Sequence, residues 1–286
     1  MRNIFHIGYH KTASTWFQKR FYPKVLNTEN IERSKIRAFF YENKNEIFEN
    51  SKDVIFCDEE LSGNIHNGGF SGFLTDGVVS KISKFENPKV IIFIRNQYDI
   101  ITSSYLQYIK EGGNYSLKRY INHKDYIRSN RTALFSYSHF DYLQLITKYE
   151  NQIGTNNVFV YLYEDFVNNQ KQFISNFIKA HNFEIDINKI DFSRKNSSYS
   201  FLSLILARVL NCFSRKNVLY KYYLIHIPYM YEYAREILRR IKIFPINNKS
   251  FLGKNLQIDI QRKYAESNKK LVSSYNLDLE KYNYPL

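Results

Sequence analysis

The sequence predicts an α/β fold with a parallel sheet between two layers of helices. Short, continuously apolar runs, which are typical of buried parallel strands, recur at 4–8, 53–63, 88–96 and 157–166. Amphipathic stretches alternate with these runs and predict helices over residues 12–26, 31–50, 79–85, 97–113 and 171–181. Strands that alternate with helices favour parallel pairing, with the connecting helices packed on both faces of the sheet.

The length of 286 residues suits one domain, 1–286, in which residues 193–250 form an added helical region. This region is basic and rich in tyrosine: residues 214–244 hold seven lysines and arginines against two acidic residues. We expect a helical C-terminal cap, either a solvated cap with a tyrosine-rich packing face or a lid that binds a substrate. The apolar stretch Phe201–Phe213 is predicted to be a helix of the core.

The composition indicates what kind of partner the protein binds and in which cellular compartment it is found. The net charge of +14, from 41 basic and 27 acidic residues, favours anionic partners such as phosphorylated cofactors, acidic glycans, nucleic acid or anionic lipid. Two cysteines provide no disulfide framework, so we expect reduced thiols and a cytoplasmic protein. The first strand begins too early for a signal peptide, no apolar stretch reaches about 18 residues, and no metal-site spacing is present.

A polar loop follows the first apolar run, in the stretch HIGYHKTASTW over residues 6–16. A strand that turns into a helix directs several backbone N–H groups at one spot, where the helix dipole adds positive charge. Lys11 adds a full charge, and Thr12, Ser14 and Thr15 add hydroxyl donors. The loop therefore predicts a phosphate or sulfate site, although an ordinary strand-to-helix turn has a similar composition. It is not the ATP-binding loop G-x-x-x-x-G-K-[ST], because serine occupies the lysine position, 14.

A second pair of anion-binding residues follows the strongest predicted strand. Arg95 ends this strand, and Ser103 lies eight residues later in the next helix. A guanidinium fork and a hydroxyl on adjoining elements suit a second phosphate. Ligands of parallel sheets bind beyond the carboxyl ends of the strands, so both sites are expected in one crevice. The alternative is a structural pair between Arg95 and Asp99 at the start of the helix.

These stretches together resemble the signatures of the sulfotransferase family. HKTASTW is similar to the family's phosphosulfate loop, P-K-[ST]-G-T-T-W, and Arg95 and Ser103 keep the spacing of R-N-P-x₅-S. HIGYHKTASTWFQ and CDEELS are similar to bacterial members with H-I-G-x-x-K-T-G-T-T and S-x-E-x-L-S, and the tail 264–279 also resembles them. The chain departs from these patterns at His10, Ala13, Ser14 and Gln97.

The resemblance implies a three-layer, P-loop-NTPase-like fold and transfer of a sulfuryl group from 3′-phosphoadenosine 5′-phosphosulfate (PAPS), with no metal required. The phosphosulfate site that it implies comprises His10, Lys11, Thr12, Ala13, Ser14 and Thr15, with Trp16 near the adenine. The 3′-phosphate site that it implies comprises Arg95 and Ser103. Family members also close a basic loop over this phosphate, and the matching candidates are Arg194, Lys195 and Ser197.

Three acids at the end of the second predicted strand are candidate bases. Attack by an acceptor hydroxyl needs a group that takes its proton, and a carboxylate at a strand end can do so. Glu59 matches the glutamate of the bacterial pattern and is the predicted catalytic base, while Lys11 is predicted to stabilise the leaving group. The alternatives are Glu60, Asp58, His10 and His66 as base, or ion pairs that join the acids to Lys11 or Arg95.

The acceptor that the bacterial resemblance implies is a carbohydrate or glycolipid hydroxyl, and no nucleic acid is expected as a partner. The basic, aromatic region also suits peripheral contact with the anionic inner face of a membrane. Two other functions stay open from the residues alone. One is a nucleotide-dependent kinase on a related α/β fold, and the other is a non-catalytic polyanion-binding protein.

Overall fold

A computed structural model describes residues 2–42, 52–66, 73–122, 134–193, 199–214, 229–241 and 243–286. Within these residues lies a five-stranded sheet made of β1 Asn3–His6, β2 Thr28–Asn30, β3 Asp53–Cys57, β4 Pro88–Ile94 and β5 Val158–Leu162. The strand order is β2-β3-β1-β4-β5, and every neighbouring pair is parallel. The predicted α/β class with a parallel sheet is therefore confirmed.

Helices connect the strands and cover the sheet. In chain order they are α1 Ser14–Trp16, α2 Arg33–Tyr41, α3 Phe73–Ile82, α4 Gln97–Lys110, α5 Leu117–Ile121, α6 Tyr142–Ile153, α7 Tyr163–Asn168, α8 Gln170–His181, α9 Phe201–Ser214, α10 Met230–Arg240, α11 Asn248–Leu252 and α12 Lys254–Tyr275. A π-helical turn, Phe17–Phe21, and a 3₁₀ turn, Tyr22–Lys24, extend α1. None of the helices in the described ranges combines the length and the apolar character that a membrane span needs.

The sheet divides the hydrophobic core into two layers, as the side chains of strand β4 show. Successive side chains of a strand point to opposite faces of its sheet. Val90, Ile92 and Ile94 accordingly join the core that includes side chains of α4, α6 and α12, whereas Ile91 and Phe93 join the core that includes α8 and the turn after α1. All five are fully buried. The helices thus form one layer on each face, in a three-layer arrangement.

β1 ends at His6, two residues earlier than the apolar run predicts. The N–H groups of Ile7 and Tyr9 still donate to the carbonyls of Ile91 and Phe93 on β4, at 3.0 and 3.3 Å. On the other side, pairing with β3 ends at the bond from the Asp58 N–H to the His6 carbonyl. The loop after β1 therefore begins while it is still attached to β4, which positions it at the carboxyl edge of the sheet.

The sequence patterns missed several elements, including β2, α6 and α12. β2 has only three residues, all polar, and it pairs with β3 alone at the edge of the sheet, so no apolar run marks it. The helix predicted over 31–50 begins at Arg33 and is described as far as Tyr41. The stretch Phe201–Phe213 is helical, but the prediction of a core helix is wrong for one face, where Val209 is 56% exposed.

Candidate active site

The loop between β1 and α1 has an unusual backbone. Lys11 and Ala13 both lie in the left-handed region, with φ of 68° and 72°. Alternation of this kind gives a concave turn in which N–H groups can converge on an anion. Among the described residues no partner is seen for the backbone N–H groups of Lys11, Ala13, Ser14 and Thr15. The loop therefore presents the donors that the sequence predicted for a phosphate or sulfate.

Gly8 allows this loop to pack tightly. A Cβ at this position would lie 3.0 Å from Thr12 Oγ1, 3.1 Å from His6 Nε2 and 3.2 Å from Phe93 Cβ. Thr12 is fully buried, and its hydroxyl donates to the Tyr9 carbonyl. This hydroxyl, which the sequence predicted as a ligand donor, is thus engaged within the loop itself.

Lys11 lies between two other elements of the site. Its ammonium donates to Gln107 Oε1 at 2.6 Å, and its carbonyl accepts from Arg95 Nη1 at 3.1 Å. Partial desolvation in the crevice, followed by the nearby positive charge of Lys110, lowers the pKa of Lys11 to about 8, against the opposing effect of Glu111. The ammonium is therefore cationic at neutral pH and titrates close above it.

Arg95, at the carboxyl end of β4, faces the same loop. Its guanidinium lies over the Tyr163 ring at 4.8 Å, and its carbonyl accepts from the Tyr142 hydroxyl at 2.5 Å. Arg95 Nε is buried and has no hydrogen-bond partner within the described ranges. Arg95 and Asp99 are both described, and no ion pair joins them. The structural pairing considered for Arg95 is therefore not found, and one of its donors stays available.

Ser103 lies on α4, four residues before Gln107, and is partly buried. Residues four apart lie on the same side of a helix. Since Gln107 reaches the Lys11 ammonium, Ser103 lies on the side of α4 that faces the loop. The structure thus brings Lys11, Arg95 and the Ser103 helix face together at one edge of the sheet.

The residues that support the Arg95 turn were missed by sequence reasoning. Asn96 caps α4 by accepting from the Tyr98 N–H at 2.9 Å, and its amide donates to the Tyr282 and Asn283 carbonyls at the C-terminal tail. Gln97, at the position where the resembling pattern R-N-P-x₅-S has proline, forms two amide hydrogen bonds with Asn268 of α12, at 2.9 and 3.1 Å. Both amides are fully buried, so α12 fixes the start of α4. In the sequence, the only signal for the contact between Gln97 and Asn268 is the family resemblance of residues 264–279.

The three acids after β3 have different partners. Asp58 is fully buried and accepts from Arg37 Nε at 2.7 Å and Arg37 Nη2 at 3.1 Å. Burial raises the pKa of Asp58, but the hydrogen bonds from Arg37 and the Glu60 N–H, together with the charges of Arg37 and Arg33, lower it overall. Glu59 Oε1 accepts from Arg33 Nη2 at 2.8 Å, whereas Oε2 has only a 3.4 Å contact with Gln18 Nε2. Instead of the ion pairs with Lys11 or Arg95 that the sequence left open, Asp58 and Glu59 form ion pairs with Arg33 and Arg37 of α2.

Two histidines in the site also contact carboxylates. His10 Nε2 lies 3.2 Å from Glu60 Oε1, and His10 Nδ1 is buried without a partner in the described ranges. Burial raises the pKa of Glu60, but the hydrogen bond with His10 and other contacts lower it overall. His66 Nε2 lies 2.8 Å from Glu111 Oε2. His10 is therefore a histidine with a carboxylate partner directly beside the loop.

Trp16 follows the loop and joins it to a distant segment. Its ring packs against Phe166 at 5.0 Å and Phe192 at 5.9 Å, and its Nε1 donates to the Asp191 carbonyl at 3.2 Å. Arg20 donates to the Asp191 and Ser193 carbonyls. The next residues in the chain include the predicted basic loop, whose candidates Arg194, Lys195 and Ser197 lie outside the described residues. Of the predicted lid, 215–228 and 242 lie outside them too.

No group of three or more histidines, cysteines, aspartates and glutamates that could hold a metal ion occurs in the described part of the chain.

Comparison with known proteins identifies the fold. No family model and no curated protein matches the chain. A sulfotransferase from Alicyclobacillus acidocaldarius matches with a TM-score of 0.51 and 13% identity, over 74% of this chain and 94% of that one. The mouse sulfotransferase SULT7A1, solved in complex with PAP, matches with a TM-score of 0.42 and 10% identity, over 96% of this chain and 89% of that one. The first match shows that the chain has a sulfotransferase-like α/β fold.

Proposed function

We propose that this protein is a sulfotransferase that moves a sulfuryl group from PAPS to a hydroxyl of a carbohydrate or glycolipid. One observation carries the proposal: Arg95 Nη1 donates to the Lys11 carbonyl at 3.1 Å. Two stretches that lie 84 residues apart and resemble separate parts of one donor site therefore meet at the carboxyl edge of the sheet.

The residues present fit a donor with anionic groups. The concave loop offers N–H groups without partners in the described chain, and the buried Arg95 Nε is a further unpaired donor. Lys11, with Ser14 and Thr15, would hold the phosphosulfate, and Arg95 with Ser103 would hold the 3′-phosphate. When bound, PAPS supplies an activated sulfuryl group joined to a phosphate oxygen.

The proposed chemistry assigns two roles to side chains of this chain. Glu59 takes the proton of the acceptor hydroxyl as the new oxygen–sulfur bond forms, and Oε2 is its oxygen with the weaker existing contact. Lys11 and the loop N–H groups stabilise the negative charge on the phosphate oxygen as its bond to sulfur breaks. Arg33 holds the other Glu59 oxygen and so orients the carboxylate.

The alternative acids are less suited to this proton transfer. Asp58 is buried, and both of its oxygens accept from Arg37. Glu60 has His10 at one oxygen and Asn64 at the other, both at 3.2 Å. Glu59 therefore stays our proposed base, and His10, which Glu60 orients, is the residue to test against it.

The first experiment measures binding and transfer together. The purified chain is titrated with 3′-phosphoadenosine 5′-phosphate by calorimetry and then supplied with labelled PAPS and a panel of glycans and glycolipids. We expect saturable binding, and transfer to at least one acceptor. Lys11→Ala should lower turnover by about 10²–10³-fold, since a positioned donor to the leaving group is lost.

Lys24→Ala is the matched control, because Lys24 is an exposed lysine in the turn that extends α1. It should leave binding and turnover unchanged. A wild-type chain that does not bind the nucleotide, but binds glycans or nucleic acid with a steep salt dependence, would refute the proposal and support a polyanion-binding protein. Magnesium-dependent turnover of ATP would instead support a kinase.

A further inference from the structure

A continuous line of polar contacts leads away from the Lys11 ammonium. Lys11 Nζ lies 2.6 Å from Gln107 Oε1, Gln107 Nε2 lies 2.5 Å from Glu111 Oε1, and Glu111 Oε2 lies 2.8 Å from His66 Nε2. The His66 side chain is almost fully buried, whereas the Glu111 side chain is 38% exposed. The line thus runs from the loop, across the end of α4, to the segment after β3.

The chemistry of these groups fixes the direction of the two hydrogen bonds that Gln107 makes. A lysine ammonium can only donate, and a carboxylate can only accept. Gln107 must therefore present its carbonyl oxygen to Lys11 and its amide nitrogen to Glu111, as the distances show. By accepting from the amide nitrogen, Glu111 reinforces the orientation of Gln107 that the Lys11 ammonium requires.

We infer that Gln107 and Glu111, with His66 behind them, form a positioning network that directs the Lys11 ammonium and keeps it charged for anion binding. Gln107 contacts Lys11 directly, whereas Glu111 acts through the orientation of the Gln107 amide and through its own charge. The inference rests on the proposed function, because it takes Lys11 to be the cation that holds the donor. The patterns of the resembling family include neither Gln107 nor Glu111.

Charged groups from three elements face Lys11. Lys110 and Arg95 lower its pKa, and Glu111 and Glu59 raise it, with desolvation as the largest effect. The pKa of Lys11 is about 8, below that of an ordinary lysine. Burial raises the pKa of Glu111, but its contacts with His66, Gln107 and Lys11 lower it overall to about 2. Glu111 is therefore a fixed negative charge wherever Lys11 titrates.

Two substitutions should move the titration of Lys11 in opposite directions. Glu111→Gln removes a charge that favours the ammonium, so Lys11 should lose its proton at a lower pH. Gln107→Glu places a carboxylate next to the ammonium, and an opposite charge at this distance shifts a pKa by about one unit or more, here upward. A role that is only structural predicts no such opposite shifts.

The readout is the rate at which an amine-reactive reagent labels Lys11 at a series of pH values, followed by peptide mass spectrometry. Only the neutral amine reacts, so the midpoint reports the titration of Lys11 without any donor. Glu280→Gln is the matched control: it removes one negative charge from an exposed side chain far along the chain and should leave the midpoint unchanged. Lys24, which is exposed, serves as an internal reference for labelling in the same samples.

Opposite shifts in the two variants would support the network, and unchanged midpoints in both would overturn it. Should Glu111→Gln fail to fold, Gln107→Glu alone still decides, since an unchanged or lower midpoint would refute the inference. The same proteins are titrated with 3′-phosphoadenosine 5′-phosphate. If no form binds it while the labelling midpoints shift as expected, the proposed function fails and the network stands.

Discussion

Ala13 has a backbone conformation that few non-glycine residues adopt. Its φ of 72° and ψ of 11° lie in the left-handed region, where a side chain costs about 1–2 kcal/mol relative to glycine. The resembling family pattern has glycine at this position. The Ala13 carbonyl accepts from the Trp16 and Phe17 N–H groups, so this strained residue begins α1. Its methyl group packs against the core, which offsets part of the cost.

Replacing Ala13 with glycine tests this strain. Glycine relieves the left-handed conformation but also gives the unfolded chain about 0.4–1 kcal/mol of conformational entropy. We therefore expect Ala13→Gly to raise the free energy of unfolding slightly, by about 0.5 kcal/mol, as measured by chemical denaturation. Ala38→Gly, within the regular helix α2, is the control and should lower it by about 1 kcal/mol. Equal losses in the two variants would contradict a strained Ala13.

At the scale of elements, the ends of β1, β3 and β4 create the site. Parallel strands deliver their carboxyl ends to one edge, and these three strands are neighbours in the order β3-β1-β4. The loop with Lys11 follows β1, Glu59 follows β3 and Arg95 follows β4. A proposed base and two cations therefore come from neighbouring strands, with β1 in the middle.

Substitutions of Glu59, which follows β3, and of His10, in the loop after β1, allow the catalytic base to be identified. Glu59→Gln keeps an oxygen that can accept from Arg33 but cannot take a proton at neutral pH. We expect turnover to fall by about 10²–10⁴-fold while nucleotide affinity, measured by calorimetry, changes little. His10→Asn should retain most turnover. The reverse result, with an active Glu59→Gln and an inactive His10→Asn, would assign the base to the His10–Glu60 pair.

The candidate site residues that the sequence could predict are those that lie at the ends of strands. Lys11, Glu59 and Arg95 each follow an apolar run directly, so local pattern alone pointed to them. The partners Arg33 and Gln107 lie within helices, and their contacts depend on how α2 and α4 pack against the loops. β2 was missed because a short polar edge strand has no apolar face. The fold class could be predicted for the same reason as Lys11 and Arg95, because both predictions depend on short-range sequence patterns.

At the scale of the whole molecule, buried histidines couple stability to pH. Burial lowers the pKa of His6 and His139 to about 3, and that of His181 to about 4. The same histidines in the unfolded chain take up protons below about pH 6.5. Between that pH and about 4, the unfolded state therefore binds more protons than the folded state. Stability present above pH 6.5 is lost as the pH falls.

Chemical denaturation at several pH values across this window measures the effect. Each histidine should contribute up to about 1.4 kcal/mol of lost unfolding free energy per pH unit. His139→Phe removes one of the three titrating groups, together with a buried Nε2 that has no partner in the described chain. The unfolding free energy of this variant should then change less steeply with pH, by the contribution of one histidine. An unchanged slope in this variant would contradict the lowered pKa of His139, because it would mean that His139 takes up its proton at the same pH in the folded and the unfolded state.

Trp16 allows the candidate site to be monitored by intrinsic fluorescence. It is the only tryptophan in the chain, and it follows directly after the loop that carries Lys11. Its indole lies among Phe21, Phe166 and Phe192, and its N–H is bonded to the Asp191 carbonyl. Indole emission depends on the polarity around the ring, so intrinsic fluorescence from this chain arises at one known position. Events at the loop can therefore be followed in the unlabelled protein, in real time and at low concentration.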